Sequence, residues 1–182
     1  MNERRIARDL IIKVLEKGCF ISDVISTLSG DVQKNGYIRR TLKGTCERKI
    51  ELDCRINLVS KIKINKMHPE VRNTLRLGAY ELLYMESIPQ RATVNEMVNL
   101  IKHSKNAKAA GLVNALLRQV EEDSNKQGFD EYLKSLDTTG RLSAAYSIPQ
   151  WLVSYYISVF GEKKSEEIFI LKSYLLQRQR LS

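Results

Sequence analysis

Arginine and lysine side chains concentrate near the N-terminus of this chain, where their spacing suits the binding of a polyanion. The 182-residue sequence has a net charge of +9. Residues 1–66 hold 15 basic and 8 acidic side chains, residues 67–125 hold 7 of each, and residues 126–182 hold 8 and 6. A basic surface of this kind is typical of proteins that bind nucleic acid. An ordinary solvated basic face is the alternative.

Two clusters contribute much of this charge. The first lies on the first predicted helix, and the second lies on a later helix and consists of Arg39, Arg40 and Lys43, with Arg48 just beyond. Arg4 and Arg8 are one helical turn apart, so they share a face of the first predicted helix, with Arg5 beside them. We expect Leu10 to face the core from the opposite side. The planar fork of arginine suits bidentate contacts with phosphate. The residues that we predict to contact nucleic acid are Arg4, Arg5, Arg8, Arg39, Arg40, Lys43 and Arg48.

Aromatic side chains are scarce in the basic region. Only Phe20 and Tyr37 fall within residues 1–66, and Phe20 follows Gly18 and Cys19, which favours a place in the core or at a corner. Binding of single strands by base stacking usually needs several aromatic rings. We therefore expect salt-dependent contacts dominated by the nucleic-acid backbone.

No pattern in the sequence predicts a catalytic residue, a metal site or a cofactor site. Cys19, Cys46 and Cys54 are odd in number and lack C-x-x-C spacing, so we expect small buried thiols rather than zinc ligands or a nucleophile. His68 and His103 lie near predicted helix ends and are interpreted as structural or solvated. No G-x-G occurs, so a phosphate-binding loop is not predicted.

Helical periodicity extends along the chain, whereas strand-like alternation is scarce, which predicts an all-α fold. The first helix is predicted from Glu3 to Lys17, where Gly18 ends it. A short helix from Ser22 to Leu28 follows, capped by Ser22. The next helical region covers residues 31–63 and is bent or split near residues 48–51, where its apolar stripe changes phase.

Residues 69–118 contain three successive helical patterns. Pro69 suits the first turn of a helix, where its missing N–H would be unpaired in any case. Thr93 and Glu96 form a T-x-x-E capping box, which predicts that the second of these helices begins at Thr93. A glycine inside a helix costs about 1 kcal/mol relative to alanine, so we interpret such glycines as sites of close packing. They are Gly44, Gly78 and Gly111.

A polar stretch, residues 122–130, is the predicted boundary between two domains, residues 1–124 and residues 125–182. Beyond it we expect a short amphipathic helix over residues 129–136 and a turn over residues 137–140.

The C-terminal part contains the sequence YSIPQWLVSYYISVFG. We expect a helix here that Ser147 caps, Pro149 begins and Gly161 ends. Trp151 is interpreted as a core anchor, because a buried indole contributes a large area. The last helix has an apolar face that needs a cover. We expect that the chain is a fragment, or that a partner or a dimer mate covers this face, which contains Ile168, Leu171, Leu175 and Leu176.

Several motifs resemble a known family. LRLGAYELLYM, TVNEMVNLIK and GLVNALLR resemble, in this order, the NusB family of RNA-binding all-helical domains, in the version found at the N-terminus of bacterial ribosomal RNA cytosine-C5 methyltransferases of the Sun or Fmu type. YSIPQWLV resembles the segment that follows this domain in those enzymes. The resemblance implies a NusB-like helical bundle followed by a small helical linker subdomain.

The resemblance also implies a function. The chain would be a non-catalytic module that binds ribosomal RNA, and the basic residues given above would make the contact. S-adenosylmethionine and two catalytic cysteines would belong to a C-terminal α/β domain that is absent from this sequence.

Two other functions remain open at this stage. One is a stand-alone NusB-type antitermination factor, which binds RNA together with a ribosomal protein. The other is a protein-interaction module with an incidental basic surface. In each case we expect a cytoplasmic protein, because the N-terminus lacks the apolar stretch of a signal peptide and no apolar run approaches the length of a membrane span.

Overall fold

The computed structural model describes the backbone of residues 3–178 and the side chains of residues 3–175. This part of the chain is all-α, as predicted, with twelve helices and no strand. Two 3₁₀ turns, Ile64–Lys66 and Ala107–Ala109, precede the sixth and eighth helices. The helices are α1 (Glu3–Lys17), α2 (Ile21–Ser26), α3 (Gly30–Lys34), α4 (Gly36–Glu47), α5 (Lys49–Val59), α6 (Pro69–Tyr84), α7 (Gln90–Lys102), α8 (Ala110–Asn125), α9 (Gly128–Ser135), α10 (Thr138–Tyr146), α11 (Gln150–Phe160) and α12 (Glu162–Arg178).

α6 is the central helix of the larger core. It packs against α1, α4, α5, α7 and α8. Leu75, Leu77, Ala79 and Tyr80 consequently have no exposed surface. Pro69 is the first residue of α6, as predicted. Burial on most sides makes α6 the framework that holds the surrounding helices, which include α1 with the exposed Arg5 and α7 with the exposed Lys102.

Two of the three helical glycines allow close helix contacts, as predicted. A Cβ atom on Gly44 would lie 2.2 Å from the Tyr80 ring, and a Cβ atom on Gly78 would lie 2.8 Å from the Leu117 side chain. The prediction for Gly111 was wrong. A Cβ atom there would have no neighbour within 4 Å, because Gly111 is exposed in the first turn of α8.

The N-terminal helices follow the predicted pattern with two differences. α2 has Phe20 at its N-cap position, so the predicted cap at Ser22 was wrong. The split near residues 48–51 is confirmed, since Arg48 separates α4 from α5. A second break occurs at Asn35, whose side chain caps α4. A short polar residue of this kind favours a cap over a helix interior.

The capping box predicted at Thr93 was also wrong. α7 begins at Gln90, directly after Pro89. Thr93 is buried in the helix, and its hydroxyl donates a hydrogen bond to Glu81 Oε2 at 2.9 Å. The Thr93 hydroxyl therefore binds Glu81, a residue of another helix, and does not cap a backbone N–H as the T-x-x-E pattern predicted.

α10, α11 and α12 form a second, smaller core. This core is joined to the larger one through α5, because the Ser147 hydroxyl accepts a hydrogen bond from the Ile50 N–H at 3.0 Å. α9 lies beside the junction, where the Arg55 guanidinium lies 3.8 Å from the centroid of the Phe129 ring. The buried apolar residues of the smaller core are Leu142, Ile148, Val153 and Phe169.

The local structure of the C-terminal part corrects two predictions. Residues 137–140 do not form an isolated turn, because Asp137 caps α10 by accepting a hydrogen bond from the Gly140 N–H at 2.9 Å. Ser147 does not cap α11. It lies in the left-handed region at the end of α10, and α11 begins directly after Pro149. Gly161 ends α11, as predicted.

Trp151, which we expected in the core, is exposed, and so is Phe20, which we expected in the core or at a corner and which lies where the chain turns between α1 and α2. Phe20 is 75% exposed and Trp151 is 71% exposed. α11 instead buries the opposite face, which contains Val153. The exposed apolar residues of α11 and α12 are Trp151, Tyr155, Val159, Phe160, Ile170, Leu171, Tyr174 and Leu175.

Of the predicted apolar face of α12, the Leu176 side chain lies outside the described residues. Among the helices that are described, none is both long enough and apolar enough to cross a membrane.

Candidate nucleic-acid interface

Arg4 belongs to a hydrogen-bonded network around a buried carboxylate. Its guanidinium donates to Glu81 at 2.9 and 3.1 Å, and Glu81 also accepts hydrogen bonds from the hydroxyls of Tyr37 and Thr93. Burial opposes the charged form of Arg4, but the hydrogen bond and the charge of Glu81 raise its pKa above the usual value. Burial and the same carboxylate raise the pKa of Tyr37. The Arg4 guanidinium therefore binds a buried carboxylate and is largely turned away from solvent.

Arg8 is almost completely buried, so its predicted place on an exposed basic face was wrong. Its guanidinium lies 3.1 Å from Glu70 and 2.8 Å from Asp9. Leu10 is buried as predicted. Arg8 is buried as well, because it contacts Glu70 of α6. Two carboxylates thus compensate the charge of this arginine.

A groove of about 950 Å³ opens between α1 and α7, and we call it the α1–α7 groove. Arg5 is exposed at its rim, whereas Arg8 is buried beneath. Acidic and basic side chains are mixed in the lining. The lining residues are Arg5, Arg8, Glu70, Glu96, Asn99, Leu100, His103, Ser104 and Lys105.

The loop between α7 and α8 is held against this groove by hydrogen bonds. The Asn106 side chain donates to Glu70 Oε2 at 2.5 Å, and the Asn106 N–H donates to the Ser104 hydroxyl at 3.0 Å. His68 Nδ1 lies 3.1 Å from the same Asn106 amide. The backbone on each side of Lys105 is therefore fixed at the mouth of the groove.

The end of α7 and the loop that follows it carry basic residues that our prediction missed. Lys102, Lys105 and Lys108 are exposed, and none forms an ion pair within the described residues. The sequence has no acidic residue between Glu96 and Glu121. The sum of charges over residues 67–125 is zero and hides this acid-free run. The run itself would have indicated an exposed basic segment.

The predicted residues of α4 have different environments. Arg39 is exposed and has no ion pair within the part of the chain that is described. Arg40 donates to the Tyr84 carbonyl at 2.9 Å. Lys43 is partly exposed and lies 3.9 Å from Glu47. Only Arg39 of these residues presents a largely solvated guanidinium.

Arg48 is held in a second internal cluster. Its guanidinium stacks 4.2 Å from the centroid of the Tyr84 ring and donates to Glu51 at 2.7 Å. The Tyr84 hydroxyl also donates to Glu51. Of the seven predicted contact residues, Arg5 and Arg39 are therefore the exposed ones, and the role of all seven in binding stays a prediction.

A third ion network lies at the opposite end of α1. Glu16 accepts hydrogen bonds from Arg72 and Asn73, and Arg76 lies 3.4 Å from the same carboxylate. Arg76 also pairs with Asp53 at 2.7 Å. The hydrogen bond from Arg72 lowers the pKa of Glu16 to about 2. The carboxylates at this end of the bundle are thus compensated by arginines.

The cysteines are not arranged as a catalytic or metal site. Burial raises the pKa of the Cys46 thiol to about 12 and also raises the pKa of Cys54. Cys19 is exposed, so the expectation that it is buried was wrong. Within the described residues, no group of three or more His, Cys, Asp or Glu side chains could hold a metal ion.

Similar proteins fall into two groups. The probable ribosomal RNA small subunit methyltransferase B of Bacillus subtilis is 29% identical in an alignment of 169 positions, and the match covers 91% of this chain and 37% of that protein. The transcription antitermination protein NusB of Fervidobacterium nodosum is 27% identical in an alignment of 144 positions, and the match covers 71% of this chain and 99% of that protein. The chain thus spans about a third of the length of the methyltransferase relative.

The fold has a counterpart among solved structures. The crystal structure of the antitermination factors NusB and NusE in complex with dsRNA contains a chain that matches 66% of this one, with a TM-score of 0.57 and 21% identity. The match covers 94% of that chain. The model of the NusB family matches residues 1–122, which include α1 to α7 and most of α8. The chain therefore belongs to the NusB family.

Proposed function

We propose that this chain is a non-catalytic RNA-binding module of a small-subunit ribosomal RNA (cytosine-C5) methyltransferase. The observation that carries the proposal is the extent of the match to the Bacillus subtilis relative. A match to 91% of a 182-residue chain must include α9, α10 and α11. The similarity therefore continues beyond the segment that the NusB family model covers. Because the substrate of such an enzyme would be ribosomal RNA, we also propose a cytoplasmic location.

RNA binding would use the exposed basic side chains around the α1–α7 groove. Arg5 comes from α1, and Lys102 and Lys105 come from the end of α7 and the loop that follows it. Phosphate contacts of this type release counterions, so the affinity falls steeply as salt is added. The acidic residues Glu70 and Glu96 in the groove would disfavour phosphates deep inside it, so the RNA backbone would lie at the rim.

Methyl transfer would take place in another part of the longer protein. S-adenosylmethionine supplies the methyl group in such enzymes, and a cysteine thiolate attacks the base. The thiols of Cys46 and Cys54 do not suit that role, because burial raises their pKa and disfavours the thiolate. This chain would instead bring the enzyme to its RNA.

The test is RNA binding as a function of salt, with fragments of small-subunit ribosomal RNA. We expect the triple variant Arg5→Gln, Lys102→Gln, Lys105→Gln to bind about tenfold more weakly, with a slope of log K against log salt reduced by about 1 for each lost phosphate contact. A matched control is Lys134→Gln, Lys163→Gln, Lys172→Gln, which removes the same charge from exposed positions of α9 and α12.

The proposal fails if the wild-type chain does not bind these RNA fragments, which would favour a protein-interaction module. The interface assignment fails if the groove variant and the control variant lose affinity equally. Equal loss would mean that net charge, rather than the position of these three side chains, determines binding.

A stand-alone antitermination factor is the second candidate. The match to the Fervidobacterium nodosum protein includes 99% of that protein, so this chain contains the counterpart of a whole NusB. RNA binding with and without added NusE separates the two candidates. Tighter binding with NusE, unchanged when residues 128–182 are deleted, would support the antitermination factor. An RNA affinity that is the same with and without NusE, and that requires residues 128–182, would support the methyltransferase module.

A further inference from the structure

A second basic surface lies at the C-terminal end of α1, and we call it the lysine end. It consists of exposed side chains from α1 and from the connection between α5 and α6. In the described part of the chain, none of these side chains forms an ion pair with a carboxylate. Its members are Lys13, Lys17, Lys61, Lys63 and Lys66.

One arginine joins the two segments of the lysine end. The Arg72 guanidinium binds Glu16 on α1 and also donates to the carbonyls of Asn65 at 3.3 Å and Met67 at 3.1 Å. Glu16 is next to Lys17 in the chain, and the two carbonyls belong to the residues on either side of Lys66. These contacts place Lys17 and Lys66 at the same end of the bundle.

The positive charge of the lysine end is not cancelled by its acidic neighbours. Glu16 is already bound by Arg72 and approached by Arg76, and Asp53 is bound by Lys49 and Arg76. No acidic residue occurs between Asp53 and Glu70 in the sequence. The lysines are therefore exposed without a carboxylate paired to them in the described residues, which favours a polyanion as the partner.

An exposed aromatic ring accompanies these lysines. Phe20 is 75% exposed and lies three residues after Lys17, at the N-cap of α2. The backbone folds back here, because the Cys19 N–H donates to the Lys13 carbonyl at 3.2 Å. A base of a single strand can stack on such a ring while lysines bind the adjoining phosphates. A base inside a duplex is already stacked on its neighbours.

The lysine end lies far from the Arg5 rim of the α1–α7 groove, while Lys66 is two residues before His68, which contacts the loop at the mouth of the groove. Arg5 and Lys17 are twelve residues apart on one helix, or about 18 Å along its axis. We propose that the lysine end is a second RNA contact, which binds an unpaired strand through phosphates and through a base stacked on Phe20. This inference rests on the proposed RNA-binding function and adds to it a single-stranded segment at the far end of α1.

The phosphate part is tested with the variant Lys17→Gln, Lys63→Gln, Lys66→Gln in the full chain. We expect the slope of log K against log salt for a single-stranded RNA to fall by about 2, since each phosphate contact contributes about 0.7. The control is again Lys134→Gln, Lys163→Gln, Lys172→Gln. An unchanged slope, together with loss of RNA binding in the groove variant, would overturn the inference and leave the proposed function standing. Failure of the wild-type chain to bind RNA would overturn both.

The stacking part is tested with Phe20→Ala and Phe20→Trp. Because the ring is exposed, neither change should unfold the protein, and circular dichroism checks this. We expect Phe20→Ala to weaken binding of single-stranded RNA by about tenfold and to leave duplex RNA unaffected, while Phe20→Trp binds as the wild type does. Equal effects on both RNAs would overturn the assignment. So would unchanged RNA binding accompanied by loss of binding to phosphatidylglycerol vesicles, which would assign this surface to a lipid.

Discussion

At the scale of single residues, the position of an arginine in the sequence indicates its helix but not its partner. Arg4, Arg5 and Arg8 are close together on α1, yet Arg4 meets Glu81, Arg8 meets Glu70 and Arg5 remains exposed. Each carboxylate comes from α6, more than sixty positions later. The helical periodicity of α1 could therefore be predicted, whereas the division of its arginines between interior and surface could not.

Glu16 provides a pH-dependent test at this scale. We expect Glu16→Gln to lower the free energy of unfolding at pH 7 by about 2 kcal/mol, because a carboxylate that binds arginines is lost. The folded-state pKa of about 2 lies below the ordinary value of 4.5. The contribution of Glu16 is therefore complete above about pH 5 and is lost as the pH falls towards 2. Urea unfolding of both proteins between pH 7 and pH 2 measures it.

The control for this experiment is Glu122→Gln. Glu122 pairs with Lys126, the C-cap residue of α8, and both side chains are exposed, so we expect no measurable change in stability. If Glu16→Gln and the wild type kept the same difference in stability at pH 2.5 as at pH 7, the arginine network would not be the cause.

At the scale of helices, apolar periodicity located most elements, while their ends depended on tertiary contacts. α1 has the predicted bounds because Gly18, with a positive φ, follows it immediately. The start of α7 was misplaced because the Thr93 hydroxyl binds Glu81, a distant residue. α10 was missed because residues 137–140 were interpreted as a turn, although Asp137 forms a local cap with the Gly140 N–H. A capping pattern predicts a helix start only where no distant group competes for the same side chain.

Two glycines allow a matched test of helix packing. We expect Gly44→Ala to destabilise the fold by about 1–3 kcal/mol, because the new methyl group would overlap the buried Tyr80 ring. We expect Gly111→Ala to stabilise it by about 0.4–1 kcal/mol, because the methyl group meets no neighbour and alanine favours the helix. Denaturant unfolding of both variants gives the comparison. The same sign for both changes would contradict this interpretation of the α4–α6 contact.

At the scale of the whole molecule, the distribution of charge was only partly legible from the sequence. The sequence has an excess of basic residues in residues 1–66, but Arg8 and Arg48 bind carboxylates inside the fold and do not contribute to the exposed surface charge. Residues 67–125 are neutral in sum, yet their acid-free run contains three exposed lysines between the end of α7 and the start of α8. Surface charge depends on which residues are paired, and pairing is a property of the fold.

The junction of the two cores gives a prediction at this scale. Ser147→Ala would leave the Ile50 N–H without the hydroxyl that it now binds, and we expect a loss of about 1–2 kcal/mol. We also expect faster proteolysis near residues 146–149, because the two cores separate more easily. The control is Ser158→Ala, whose hydroxyl lies on the exposed side of α11. Equal proteolysis of both variants would show that other contacts hold the junction.

The exposure of Trp151 has a practical consequence. It is the only tryptophan of the chain, so its fluorescence reports on one face of α11 alone. A solvated indole emits at long wavelength, and a molecule that covers Trp151 would shift the emission to the blue. Since the α1–α7 groove and the lysine end lie on other helices, RNA bound there would leave the emission wavelength unchanged. The protein thus carries a natural optical probe that distinguishes a protein partner on α11 from RNA on the basic surfaces.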